Sequence, residues 1–255
     1  VAGVVDASFA QLGIKIHRQA QLASAQVVGD EVALTIKYAD GSSATRTVDM
    51  VLFAIGRTAN TRDLGLELAG VQLDPSGGIV GEGTRTSAPH VWAAGDCTTD
   101  VMLANTADAE GRHAIEDMFG CEPAPVSYNA QAAILFLRPE VASVGLNEQM
   151  AQKAGIPYRA AVVSNRLNRR NIAMRATDGF VKLLARRDGR LLGLRVVGPQ
   201  AGSCMQGVAL LLEQGGHLND LDRCTHPHPA VTEGVQEAAR LLLGKSLYSP
   251  SAMRD

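Results

Sequence analysis

Cys224-Thr225-His226-Pro227-His228-Pro229-Ala230-Val231-Thr232-Glu233 sets an imidazole, a helix start and a carboxylate within ten residues. Pro229 has a fixed φ suited to a first helical turn, and Val231, Val235, Ala238, Ala239 and Leu242 recur behind it at helical spacing. The pattern predicts a helix beginning near His228, with that histidine at its mouth. Glu233, five residues on, then lies in the second turn and reaches back to one ring nitrogen. Such a contact fixes the tautomer and leaves the other nitrogen to exchange a proton, the arrangement of an oriented general base. The same residues also allow a rigid proline loop with no chemistry. A metal site built from Cys224, His226 and His228 is disfavoured, because neither a zinc-finger spacing nor a His-Glu-x-x-His helix is present.

Working outward, 255 residues of which 46% are hydrophobic suffice for one large domain or two modest ones. A net charge of -2, with 24 basic residues in no dense run, argues against nucleic acid as a partner. No apolar run approaches the roughly 18 residues of a membrane helix, and Val1-Ala2-Gly3-Val4-Val5 lacks the regions of a signal peptide. A soluble, cytoplasmic protein with no membrane partner is expected. Cys97, Cys121, Cys204 and Cys224 form neither a C-x-x-C pair nor a dense framework, which suits a reducing compartment. Because the chain opens on Val1 and not on Met, it is expected to be a piece of a longer polypeptide.

Residues 1–16 read as the tail of an amphipathic helix with Val5, Phe9 and Leu12 inward, closed by Gly13 and followed by a short strand, Ile14-Lys15-Ile16. Val32, Leu34, Ile36 and Tyr38 alternate, Asp40-Gly41 makes a turn, and Ser43 to Val48 return, as in an antiparallel meander. Met50-Val51-Leu52-Phe53-Ala54-Ile55 has no alternation, as expected of a strand covered on both faces, and it runs into Gly56. Ligands lie at the carboxyl ends of such strands. A second strand-to-glycine passage, Thr86 to Asp96, precedes a helix read over Met102 to Phe119 and stopped by Gly120. An acid just past such a glycine accepts hydrogen bonds from sugar-like hydroxyls, and the following helix's first amides meet a partly negative oxygen. A turn-capping Asp is the plainer alternative. After a linker at Pro123-Ala124-Pro125 the pattern becomes α+β. Strands are expected over 132–137, 141–144 and 158–164, with a short helix capped by Asn147 between the last two. A hairpin is expected over 180–186 and 191–197 around Asp188-Gly189, then a helix over 203–214 with Val208, Leu211 and Leu212 inward.

Three passages in this order carry a resemblance: Ala54-Ile55-Gly56-Arg57-x-x-Asn60, then Thr86-Ser87-x-Pro89-x-Val91-x-Ala93-x-Gly95-Asp96, then His226-x-His228-Pro229-x-x-x-Glu233. Together they closely resemble the pyridine nucleotide-disulfide oxidoreductase family over essentially the whole chain. The doubled histidine, the helix after it and Gly244-Lys245-Ser246 are most similar to the dihydrolipoamide dehydrogenase branch. The resemblance implies an α/β fold of partial NAD- and FAD-binding domains followed by an α+β dimerisation domain. Residues 1–55 would end the NAD-binding domain, 56–125 the FAD-binding domain, and 126–255 would form the dimerisation domain. It also implies FAD and NAD or NADP as cofactors, a homodimer, and a small dithiol or disulfide or a lipoyl domain as substrate.

Carried over by position, Gly56 borders the nicotinamide dinucleotide, and Leu22 lines the same site. Asp96 binds the flavin's ribityl chain, and Met102, Leu103, Ala104 and Asn105 form the helix start that meets the flavin ring. His228 is the catalytic base and Glu233 the carboxylate that orients it, serving the other subunit's flavin and disulfide. Ala59, Ala230 and Thr232 depart from the residues usual in the family, which loosens the narrower assignment. Neither the family's Cys-x4-Cys redox pair nor a G-x-G-x-x-G loop occurs here. Glutathione-reductase-like and mercuric-reductase-like enzymes are the nearest alternatives, although the last residues, 250–255, lack the paired cysteines expected of the latter. A non-catalytic flavoprotein dimerisation scaffold is the alternative from another class.

Overall fold

The computed structural model describes residues 1–98 and 101–248, so the 250–255 tail weighed above lies outside the described residues. The chain forms two compact units, Phe9–Arg57 and the combination of Val1–Ser8 with Thr58 onward. Among the described residues no helix is long and apolar enough to cross a membrane.

Helix α1 (Ala2–Gln11) is closed as expected by Gly13, at φ +75, whose N–H reaches the Ala10 carbonyl. The inward face read from the sequence is not formed: α1 has no buried residue and Leu12 is 65% exposed. No strand occurs at 14–16, since no neighbouring strand takes up its backbone groups.

The smaller unit is a three-stranded antiparallel sheet of β1 (Ala20–Val28), β2 (Glu31–Tyr38) and β3 (Ser43–Val48), in that order. The expected β2–β3 hairpin is present, with Val32 opposite Val48, and Asp40 Oδ1 accepts from the Ser42 N–H and hydroxyl in the turn. Strand β1 was not anticipated, because Ala-Gln-Leu-Ala-Ser-Ala-Gln lacks the period of two that marks a half-buried strand. Residues 50–55 overturn their expectation. They form no strand, and Leu52 and Ile55 are 89% and 90% exposed, because no strand among the described residues pairs with them.

In the larger unit, a hairpin of β4 (Gly81–Glu82) and β5 (Arg85–Thr86) extends through a single bridge from Arg85 to Trp92. The second strand-to-glycine passage is thus mostly irregular. Helix α2 (Ala104–Met118) follows and is stopped at Gly120, φ +72. Its Asp117 takes two 2.6 Å bonds from Arg85 and one of 2.7 Å from Trp92 Nε1, which hold its carboxyl down at about 2.

The rest of this unit is a five-stranded antiparallel sheet of β6 (Ala133–Leu135), β7 (Val141–Gly145), β8 (Tyr158–Ser164), β9 (Phe180–Arg186) and β10 (Leu191–Val197), ordered β6-β7-β10-β9-β8. Helices α3 (Glu148–Lys153) and α4 (Arg169–Ala173) connect the strands, and α5 (Met205–Glu213), α6 (Leu218–Arg223) and α7 (Glu233–Leu242) follow them. Asn147 caps α3 through the Met150 N–H, as read from the sequence. Val144, Leu183 and Leu194 from the sheet, with Val208, Leu218 and Ala238 from α5, α6 and α7, belong to one buried core. At about 1.5–3 kcal/mol for each large side chain, this core fixes α7 against the sheet.

Candidate active site

The segment from α6 to α7 carries the histidines. The His228–Pro229 peptide is cis, and α7 does not begin near His228 as expected but at Glu233. Its entry is a tight turn of i→i+3 bonds, from Glu233 N–H to Ala230 O (3.4 Å), Gly234 N–H to Val231 O (3.2 Å) and Val235 N–H to Thr232 O (3.0 Å). Glu233 therefore opens the helix and does not sit in its second turn. Val231, Val235, Ala238, Ala239 and Leu242 are all buried, so the apolar stripe read from the sequence faces the core.

Glu233 uses both oxygens. Oε1 lies 2.8 Å from His228 Nδ1 and Oε2 accepts the Ala230 N–H at 2.8 Å. Burial by itself raises this carboxyl's pKa. The His228 and Ala230 hydrogen bonds, with the charges of His228 and Arg169, outweigh it and hold Glu233 below its ordinary value. The imidazole is open, with 63% of the His228 side chain exposed against 29% for Glu233. With Nδ1 held, Nε2 is the nitrogen left to meet a substrate. His226 behaves differently: burial lowers its pKa, and its Nε2 is buried with no partner among the described residues. Behind Glu233 a cavity of about 550 Å³ is bounded by Asn168, Arg169, Arg240 and Tyr248, but not by His228.

Helix α7 sits close to the sheet at Gly234, where a Cβ would lie 2.8 Å from Val181 Cγ2. The residue beside Glu233 thus has room for hydrogen only.

Asp96 follows Gly95, which has φ +82 and approaches α2 so closely that a Cβ would lie 3.1 Å from that of Ala107. The Gly95 N–H donates to Glu110 Oε2 at 2.6 Å, and Glu110 Oε1 accepts from the Tyr128 hydroxyl at 2.9 Å. Glu110 is only 2% exposed. Met102 and Leu103 lead into α2, Ala104 and Asn105 begin it, and Leu103 is its extended N-cap with no side-chain capping bond. Asn105 turns its amide to Gln131 Oε1 and Ala132 O, both at 3.2 Å. An acid beside a positive-φ glycine and a helix start with no side-chain cap fit a flavin, whose ribityl hydroxyls need acceptors and whose ring oxygen needs amide donors.

Leu22 and Gly56 lie in the smaller unit. Leu22 is within β1 opposite Ile36, and not after an earlier strand as expected. Gly56 has φ +137 and nothing within 4 Å of an added Cβ. The structure therefore brings His228 to Glu233 and packs the Gly95-Asp96 turn on α2.

Two residues escaped the sequence reading. Glu110 looks like a surface acid, yet Thr106, Glu110 and Ala114 share the inward stripe of α2, and that spacing was the available signal. Asn168 is 7% exposed and donates to the carbonyls of Ala230 and Val231. Its signal was the Asn165-x-x-Asn168-x-x-Asn171 repeat.

The larger unit thus presents an antiparallel sheet backed by a helix that opens on a His–Glu pair, with a glycine–acid turn packed on the long helix before it. A family model described as pyridine nucleotide-disulphide oxidoreductase matches residues 1–111, and the dimerisation domain of the same family matches residues 131–239. The chain belongs to the pyridine nucleotide-disulphide oxidoreductase family. It is 36% identical to the dihydrolipoamide dehydrogenase of Chaetomium thermophilum over 242 residues, 92% of this chain and 47% of that protein. With the dihydrolipoyl dehydrogenase of Geobacillus stearothermophilus the identity is 35% over 250 residues, 97% of this chain and 53% of that protein. The crystal structure of LpdA from Mycobacterium tuberculosis superposes with a TM-score of 0.87 at 32% identity, covering 94% of this chain and 52% of that one. The chain spans about half the length of the curated relatives it matches.

Proposed function

We propose that these residues are the C-terminal half of an FAD-dependent dithiol–disulfide oxidoreductase of the dihydrolipoamide dehydrogenase type. It passes electrons from a dithiol such as dihydrolipoamide, free or on a lipoyl domain, to NAD or NADP. The observation that carries this reading is the 2.8 Å contact of Glu233 Oε1 with His228 Nδ1 on an exposed imidazole. A neutral His228 with its Nδ1–H held by Glu233 accepts a substrate thiol's proton at Nε2. The thiolate so formed attacks one sulfur of the enzyme's disulfide, breaking the S–S bond and giving a mixed disulfide and one enzyme thiolate; the substrate's second thiol then displaces the other enzyme sulfur, releasing the substrate as its disulfide and leaving the enzyme as a dithiol. Bound FAD supplies the two-electron relay between the resulting dithiol and the nicotinamide.

In this reading Asp96 accepts from the ribityl hydroxyls, the amides at the start of α2 face the flavin ring, and Gly56 and Leu22 border the nicotinamide dinucleotide. Residues 1–55 end the NAD-binding domain, 56–125 end the FAD-binding domain, and 126–255 form the dimerisation domain. The subunits pair as a homodimer, each lending His228 and Glu233 to the other's disulfide. A cytoplasmic setting, in which the four unpaired thiols stay reduced, belongs to the same reading.

The test is His228→Gln in the FAD-loaded enzyme that carries these residues. Dihydrolipoamide-driven NAD reduction should fall about 10²- to 10⁴-fold, the usual worth of a general base, while bound flavin is retained. A variant that turns over like the parent overturns the assignment.

A further inference from the structure

An exposed imidazole has little packing of its own, so its aim must come from the backbone that carries it and from the carboxylate beside it. Both converge on Ala230. Its N–H donates to Glu233 Oε2 at 2.8 Å, and its carbonyl receives the Glu233 N–H at 3.4 Å. That carbonyl has a second donor from far along the chain: Asn168 Nδ2, at 3.0 Å, which also lies 3.4 Å from the Val231 carbonyl.

Asn168 is well placed to hold that backbone still. It is 7% exposed, and its Oδ1 accepts the Asn171 N–H at 3.1 Å, which caps α4 and fixes which end of the amide faces Ala230. Its own N–H is bound to the Asn165 carbonyl at 3.1 Å. Asn165 in turn donates from Nδ2 to the Val197 carbonyl of β10 at 2.9 Å and to Asp178 O at 3.3 Å. A continuous set of buried and part-buried hydrogen bonds therefore runs from β10 through Asn165 and Asn168 to the link between His228 and Glu233. Buried bonds of this kind are satisfied in one geometry only.

We propose that Asn168 is a positioning residue for proton transfer: by holding the Ala230 and Val231 carbonyls, it sets the angle at which Glu233 presents His228 to a substrate thiol. The inference rests on the role given to His228 above. A misplacement on the order of 1 Å costs about 10²-fold in a positioned reaction, which sets the scale of the effect.

The test uses Asn168→Ala and the nearly isosteric Asn168→Asp in the FAD-loaded enzyme. The Asp variant keeps an acceptor for the Asn171 N–H and removes the donor to Ala230. Two turnovers are compared: dihydrolipoamide-driven NAD reduction, and NADH oxidation by an artificial acceptor that draws electrons from the flavin and needs no thiol proton. In both variants the ratio of the first to the second should fall roughly 10- to 100-fold, and the pH midpoint of the dithiol reaction should move. A ratio within about twofold of the parent's overturns the inference. So does a parallel loss of both turnovers, including through failure of both variants to fold, since that makes Asn168 a residue of the fold alone. If the parent enzyme itself does not oxidise dihydrolipoamide, the functional reading falls and this inference with it. If the parent does so and His228→Gln does not, a normal ratio in the Asn168 variants refutes the positioning role only.

Discussion

Glu233→Gln is the sharpest test of how the pair works, because the structure assigns each carboxylate oxygen a separate donor. Oε1 serves His228 Nδ1 and Oε2 serves the Ala230 N–H. An amide has one acceptor and one donor end, so it cannot serve both. With its oxygen toward Ala230, its NH₂ faces Nδ1, which must then be unprotonated. The ring proton moves to Nε2, the atom that receives the thiol proton in the proposed reaction. With the amide reversed, two N–H groups oppose each other at Ala230. Either way one charge-assisted bond of about 1.5–3 kcal/mol is lost. At about 1.4 kcal/mol per factor of ten, dithiol turnover should fall roughly 10- to 100-fold. Partial exposure of the pair places the effect toward the lower end of that range. It should remain milder than His228→Gln, which removes the base itself. Steady-state NAD reduction by dihydrolipoamide, with flavin content measured on the same samples, gives the number. Turnover within about twofold of the parent's refutes the argument that the carboxylate sets the tautomer.

Three further outcomes follow from other parts of the structure. Gly234→Ala places a methyl 2.8 Å from Val181 Cγ2 and should cost about 1–3 kcal/mol by overpacking, read as a lower denaturation midpoint that Val181→Ala restores; an unchanged midpoint contradicts the close seat of α7. Glu110→Leu leaves the Gly95 N–H and the Tyr128 hydroxyl without their carboxylate, an effect of about 1–3 kcal/mol. On the flavin reading it should speed FAD release followed by fluorescence, and equal release rates would remove Glu110 from the support of that turn. His226 has a folded pKa below its ordinary 6.5, so the unfolded chain takes up its proton first as the pH falls. Stability from this group is complete above pH 6.5 and is lost on acidification through the folded value. His226→Gln should flatten the dependence of the unfolding midpoint on pH below that point, and an unaltered slope would locate the titration elsewhere.

How much of this was legible in the sequence depends on where each residue's partner lies. Strands β8, β9 and β10 match their expected bounds because their partners are in the same sheet and their apolar residues meet the core of α5, α6 and α7. Residues 50–55 carry a stronger apolar signal than any of these, and yet Met50, Leu52, Phe53 and Ile55 are exposed. A run without alternation states only that both faces want covering; it becomes a strand where neighbouring strands supply hydrogen bonds, and none among the described residues does.

The His228–Glu233 contact was legible because it is local, spanning five residues, whereas the helix start beside it was misplaced. Proline at a first helical position was assumed on propensity, but the tight entry through Ala230, Val231 and Thr232 moves the first helical residue to Glu233. That displacement has a consequence for chemistry. As the first residue Glu233 has the Ala230 N–H within reach of its second oxygen, so the group that orients the imidazole also closes the loop that carries it. The partners of Asn168 and Glu110 were illegible for the opposite reason. Asn168 reaches Ala230 across 62 residues and Glu110 reaches Gly95 across 15, so their roles exist only once the sheet and α2 have formed. The His228–Glu233 contact can therefore be read from one loop, while the residues that hold it and the neighbouring turn in place belong to the tertiary fold.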